Sequence, residues 1–391
     1  QGDTILENTI AADAAAGNTS TVFGYSQSST IASYVMQQLD PKGTPETNSG
    51  LNFLLVGDPS NPNGGLLSRF DGFQTTSGHT VSDPLNLPSL GVSFDTSTPA
   101  DDYATNIYTL EYDGFADFPR YPLNFLADLN AFLGIEEIHG TYLNGGVDGS
   151  GPTPEEIASA TLLPGSALSG TTDSLTNYYM IDETAPLVSL LPKQLQELLG
   201  PDLTYLINLG YGDGSQGYSA TVDSPANVDT PFGLAPDVSA STVLSTLEAD
   251  TEEGIKNLMS GTDPYAAAAS GAADASSTPA QSMAEVMSAL STDLANPTAT
   301  LTDFANAISS AASTAYSTLL PTEDILNALT TSLPAYDLSL FTDNIASGNY
   351  ADAFGLPIAA NTALDTLAAG FEYSVIESAI SAIQADFAGL F

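Results

Sequence analysis

Thr21-Val22-Phe23-Gly24-Tyr25-Ser26-Gln27-Ser28-Ser29-Thr30 decides how the rest of the chain is read. The run from Thr19 to Phe23 has the composition of a buried strand. Behind the serine, Ile31, Val35 and Leu39 recur at helical spacing. Strand, tight turn with a serine at its tip, then helix is the nucleophile-elbow arrangement. It lifts a hydroxyl above a sheet, provided that small residues two before and two after let strand and helix approach closely. Gly24 meets the first need, and Ser28, one hydroxymethyl larger than glycine, nearly meets the second. A short Gly/Ser pattern also arises as a plain strand-to-helix turn, so the motif asks for structural context. The chain ahead must supply an acid and then a histidine.

Composition narrows the chemistry. The 391 residues hold 47 Asp plus Glu against five cations, Lys42, Arg69, Arg120, Lys193 and Lys256, for a net charge of −42. Such a chain has almost nothing with which to replace the counterions of nucleic acid, so that partner is excluded. Attraction to anionic headgroups through a polybasic patch is excluded on the same ground. Neutral or apolar substrates fit better. There is no cysteine, hence no disulfide, thiolate nucleophile or cysteine-ligated metal. No uninterrupted apolar run reaches the length of a transmembrane helix. The chain opens at Gln1 without a signal-like segment and reads as a fragment or a processed form.

In chain order, residues 3–15 read as a helix that Gly17 ends. After the elbow, Leu51 to Gly57 forms a short, nearly all-apolar strand of the kind covered on both faces. It runs into Asp58-Pro59-Ser60-Asn61-Pro62-Asn63-Gly64-Gly65, dense in turn formers. A brief strand is expected at Val92 to Phe94 and a longer one at Asn106 to Tyr112. A helix follows from Leu123 to Leu133, then Ile138-His139-Gly140-Thr141-Tyr142. This succession argues for an α/β sheet. Thr153-Pro154-Glu155-Glu156 is a capped helix start. Leu187 to Leu199 reads as a helix broken by Pro192, and Leu203 to Leu209 as strand or helix. Past Pro231 the chain turns to Ala, Ser, Thr and Leu. Helices are expected near 239–260, 280–294, 299–319, 322–332 and 361–389. A soft boundary near 230 therefore separates an α/β domain, 1–230, from a helical C-terminal region, 231–391.

A serine hydroxyl needs a base to take its proton, and the base needs a third group to fix its tautomer. Only His79 and His139 are available. His79 sits in a polar loop ahead of any candidate acid. The order Ser26, Asp117, His139 is nucleophile, acid, base, with Asp117 in the turn after a predicted strand. Asp113 is the alternative acid, although an Asp before Gly is more often a turn former. Two histidines without cysteine make no zinc set, and no acidic spacing resembles a calcium loop. No cofactor is called for.

Five ordered blocks carry a resemblance. They are Val22 to Ser28; Leu55-Val56-Gly57-Asp58-Pro59 with Asn61 to Gly65; Tyr112-Asp113-Gly114-Phe115-Ala116-Asp117-Phe118-Pro119 with Tyr121-Pro122; His139 to Tyr142; and Asn208 to Asp213. Over roughly residues 1–225 the chain resembles the PE-PPE domain family. The resemblance implies an α/β serine hydrolase domain of mycobacterial envelope and secreted proteins, related in architecture to cutinases. It further implies esterase or acyltransferase action on acyl esters and lipids through a Ser-Asp-His triad. Carried over by position, the triad is Ser26, Asp117 and His139, with Asp113 the alternative acid, and the amide of Gln27 contributes to the oxyanion hole. The family's sheet starts with a strand and Gly-rich loop ahead of the first helix. The expected architecture is thus an α/β-hydrolase-type sheet lacking its first strand, with a helical C-terminal extension and one oxyanion donor fewer. The rival expectation is a non-catalytic surface-interaction protein on a hydrolase scaffold.

Overall fold

The computed structural model describes residues 2–47, 50–75, 86–87, 92–94, 97–144, 151–170, 174–260, 264 and 324–388. The expected helices at 280–294 and 299–319, and His79, lie outside them.

Helix α1 (Gly2–Ala15) precedes strand β1 (Ser20–Tyr25), which turns directly into α2 (Gln27–Leu39). Strand β2 (Leu51–Val56), helix α3 (Leu66–Thr75) and a two-stranded ribbon of β3 (Asn86–Leu87) and β4 (Val92–Ser93) follow. Next come β5 (Ala104–Leu110), α4 (Phe125–Glu137), α5 (Pro154–Ser159), β6 (Thr161–Leu162) and β7 (Thr176–Ile181). Helices α6 (Pro186–Ser189), α7 (Lys193–Asn208) and α8 (Ala240–Ser260) lead to the C-terminal helices α9 (Leu333–Ala346) and α10 (Tyr350–Ala388).

The main sheet has the order β1-β2-β5-β7-β6. Its first four strands are parallel, and only β6 runs against its neighbour β7. The register pairs Tyr25 with Val56, Val56 with Tyr108, and Leu110 with Ile181. The carboxyl ends of β1, β2 and β5 therefore reach one rim, where an open parallel sheet gathers its functional loops.

Alternation along the strands explains the layers. Phe53, Leu55, Ile107, Tyr178 and Met180 face Ala32 and Met36 of α2, while Val56, Leu110 and Ile181 pack with Ala127, Val188 and Ile207 on the other side. Strand β1 departs from the expected buried strand. Among the described residues it pairs with β2 alone, and Phe23 is 49% exposed. Strand β7 was not anticipated. Its buried residues Thr176, Tyr178 and Met180 alternate with Asn177, which bonds Asn106, and Tyr179, which stacks on Tyr108 at 4.6 Å.

Thr153 and Glu156 form the expected reciprocal cap of α5. The stretch at 203–209 is helical, and α7 accommodates Pro201. Helix α10 begins eleven residues before the expected 361, carrying Pro357 within it.

Packing continues across residue 230. Leu66, Phe70, Phe118 and Ala131 share one apolar cluster with Phe232 and with Leu333, Tyr336, Leu340, Leu364 and Leu367 of the C-terminal helices. Arg69, fully buried, ties the same region together: its guanidinium donates to the carbonyls of Phe118 and Thr230 and to the hydroxyl of Ser219.

Candidate active site

Ser26 stands between β1 and α2 at φ 55° and ψ −123°, one of two described non-glycine residues with positive φ. Such a conformation persists only where its surroundings over-determine it. Here the Ser26 amide donates to Val56 O (3.2 Å), Ser28 Oγ bonds both the amide and the carbonyl of Tyr25 (2.8 Å each), and Ser29 N donates back to Ser26 O. Gly24 is required by close approach, since a Cβ there would lie 2.9 Å from Ser29 Cα and from the Leu55 side chain. Ser28 thus fastens the turn with its hydroxyl, where glycine would only have made room.

His139 follows the end of α4, in a 3-10 turn spanning His139–Thr141. Its Nε2 stands 2.7 Å from Ser26 Oγ, and its Nδ1 stands 2.9 and 2.8 Å from the two carboxylate oxygens of Asp113. The imidazole is 8% exposed and rests edge-on against Phe115, with ring centroids 4.6 Å apart. Gly57, just past β2, gives it room. At φ +54°, a Cβ on Gly57 would come within 2.7 Å of the Tyr142 ring and 3.2 Å of His139 Cε1.

The carboxylate behind the imidazole is Asp113, not Asp117, which corrects the expected assignment. Asp117 faces inward, where its Oδ2 accepts from the amide of Tyr112 (3.0 Å) and its own amide donates to Asp113 O. Tyr112 is the second non-glycine residue at positive φ, 65°. Asp117 therefore braces the strained turn that aims Asp113. Complete burial raises its carboxyl well above the usual range, and its Oδ1 has no partner among the described residues. Asp113 meanwhile does both things weighed for it. Its Oδ1 accepts from Phe115 N (2.9 Å), as a turn-forming Asp does, and its carboxylate still reaches His139.

Gln27 opens α2, so its amide belongs to the helix's first turn, whose N–H groups point outward along the axis toward negative charge. Two tyrosines that sequence reasoning passed over complete the rim. Tyr25 Oη donates to the carbonyl of His139 (2.5 Å), and Tyr142 Oη donates to Asp113 Oδ2 (2.7 Å). Each sits inside a block already singled out, one before Ser26 and three after His139. No group of three or more metal-ligating side chains occurs among the described residues.

Comparison with known proteins agrees with this architecture. The profile of the PE-PPE domain matches residues 1–212. The chain belongs to the PE-PPE domain family. An uncharacterized PPE family protein of Mycobacterium tuberculosis, PPE28, is 40% identical over 410 aligned residues, which cover 100% of this chain and 58% of that protein. Esterase PE16 of the same species is 41% identical over 60% of this chain and 40% of its own length. The PE family protein PE3 is 38% identical over 65% of the chain and 49% of its own length. The chain thus spans about half the length of these curated relatives. No solved structure matches it. Within the PE-PPE domain, the blocks that carry Ser26, Gly57, Asp113 and His139 all fall inside the matched residues.

Proposed function

We propose that this PE-PPE domain is a serine ester hydrolase or acyltransferase working through Ser26, His139 and Asp113. The observation that carries the reading is the unbroken hydrogen-bonded line from Ser26 Oγ through both ring nitrogens of His139 to Asp113. Membership of a family with an esterase-named relative supports it. Ser26 Oγ attacks the acyl carbonyl while His139 Nε2 takes its proton, and the same proton later passes to the departing alkoxide. Asp113 holds the imidazole with Nδ1–H toward it and stabilises the imidazolium. The Gln27 amide, at the positive end of α2, meets the developing oxyanion. The acyl-enzyme on Ser26 then passes to water, or to a hydroxyl of a sugar or lipid where the acceptor displaces water. As part of the same proposal, the substrates are acyl esters or lipids met at the cell envelope or outside the cell.

The test is Ser26→Ala, assayed with a short-chain chromogenic ester and with a fluorophosphonate probe. Removing a triad nucleophile costs on the order of 10⁶ in kcat, so turnover should fall to background and labelling should vanish. Equal turnover by wild type and variant would refute the reading.

A further inference from the structure

The structure assigns Tyr142 as a positioning residue for the His139–Asp113 pair: its hydroxyl, pinned by the backbone of β5, fixes one oxygen of the carboxylate that orients the base. The inference rests on the triad reading above and extends it to a residue that touches neither substrate nor nucleophile. Tyr142 Oη accepts from the amide of Leu110, the last residue of β5, at 2.9 Å, and donates to Asp113 Oδ2 at 2.7 Å. A hydroxyl has one proton, so a bond received from an amide commits that proton to the carboxylate. The other oxygen, Oδ1, takes the amide of Phe115. With each oxygen fixed by its own donor, the carboxylate cannot rotate, and the face left open is the one that His139 Nδ1 occupies.

The ring is held as firmly as the hydroxyl. Tyr142 is 8% exposed, and it lies against Tyr25, with centroids 5.7 Å apart, and His139, 6.2 Å apart. Gly57 leaves the gap into which it fits. Burial and the charge of Asp113 push its phenol well above the ordinary value, so it remains a proton donor throughout the working range. The ionisable groups around it are Asp113, His139, Tyr25 and Asp117, the last in the field of Glu111 and Arg69. Of these, Asp113 is the group that the hydroxyl touches.

Tyr25 supplies the internal comparison. It too places a hydroxyl against this pair, but on the backbone carbonyl of His139, not on the carboxylate. A purely structural role would make loss of either hydroxyl look the same. An electrostatic and orienting role separates them. A carboxylate relieved of one donor concentrates its charge on the imidazolium, so the base is lost to protonation at a higher pH.

The experiment measures the pH dependence of kcat/KM for a short-chain ester in wild type, Tyr142→Phe, Tyr25→Phe, Asp113→Asn and the Tyr142→Phe/Asp113→Asn double variant. Tyr142→Phe should lower kcat/KM about tenfold through kcat and move the acid limb upward by about one pH unit, about the size of one charge-assisted hydrogen bond. Tyr25→Phe should leave that limb in place. The double variant should be no slower than Asp113→Asn alone, because the hydroxyl acts only through the carboxylate. An unmoved limb in Tyr142→Phe, or losses that multiply in the double variant, would overturn the assignment. Should Tyr142→Phe fold poorly, the position of its acid limb, which does not depend on how much of the protein is folded, decides the same question. A wild type no faster than Ser26→Ala would instead sink the triad reading itself, a distinct result.

Discussion

The rim of the sheet and the helical cover from 324 onward are built on opposite principles. At the rim, Ser26, Asp113 and His139 are each held by several directed hydrogen bonds, two residues sit in strained backbone, and glycines stand where one extra carbon would collide. In the cover, α9 and α10 present Leu333, Leu340, Leu364 and Leu367 to a shared apolar cluster, to which Tyr336 adds a hydrogen bond from its hydroxyl to Phe70 O. Directed bonds fix positions to fractions of an ångström and fail one atom at a time. Apolar contacts fix only volume and fail in proportion to what is removed. The contrast teaches that activity and stability should respond to different mutations in different places.

The largest effect that could break this contrast is at the rim. Asp113→Asn should lower kcat by about 10⁴, as loss of the tautomer-fixing carboxylate does in triads. Asp117→Asn, four residues on, should change it less than about threefold, because an amide oxygen can still accept from Tyr112 N. Steady-state kinetics on the two variants decides it, and reversed magnitudes would return the acid's role to Asp117. In the cover, Leu364→Ala should destabilise by about 3 kcal/mol, read by urea unfolding, while kcat of the folded protein stays near wild type. A fall in kcat there would show that the two regions are not independent. The smallest effect sharpens the boundary between them. Asp128 of α4 is buried with neither carboxylate oxygen bonded among the described residues, and burial raises its carboxyl to about 8. A folded value above the unfolded one means that the native state holds the proton longer, so this group costs stability as pH rises from about 4 toward 8. Asp128→Asn should raise the Tm at pH 8 and leave it unchanged near pH 4, by thermal melts across that range.

Much of the rim was legible before any coordinates. Leu51 to Gly57 is a short, nearly all-apolar run closed by glycine, and parallel strands buried between helices take that form. The histidine was found by scarcity. What escaped was set by partners distant in sequence. Asp113 and Asp117 both lie buried in the turn after β5, and their partners tell them apart, His139 for the one and the Tyr112 amide for the other. Forming a turn and standing behind the imidazole are not alternatives for Asp113, because one carboxylate both accepts from Phe115 N and reaches His139 Nδ1. Strand β7 hid because its inward residues begin with a threonine and a tyrosine, so the period-two pattern carried little hydrophobic contrast. Helix α10 starts at Tyr350, ahead of the expected 361, and runs on through Pro357, a residue type that ordinarily kinks or breaks a helix interior.

Arg69 has a consequence for where this unit can be cut. The profile match ends at 212, and Ser26, Asp113 and His139, the proposed triad, precede it. A polypeptide shortened to that point would keep Ser26, Asp113 and His139 but lose Ser219 and Thr230, leaving a buried cation with only the Phe118 carbonyl to receive its protons. Segment 213–232 is therefore a keystone for the loops beneath the rim of the sheet, and it lies beyond the residue at which the domain profile stops.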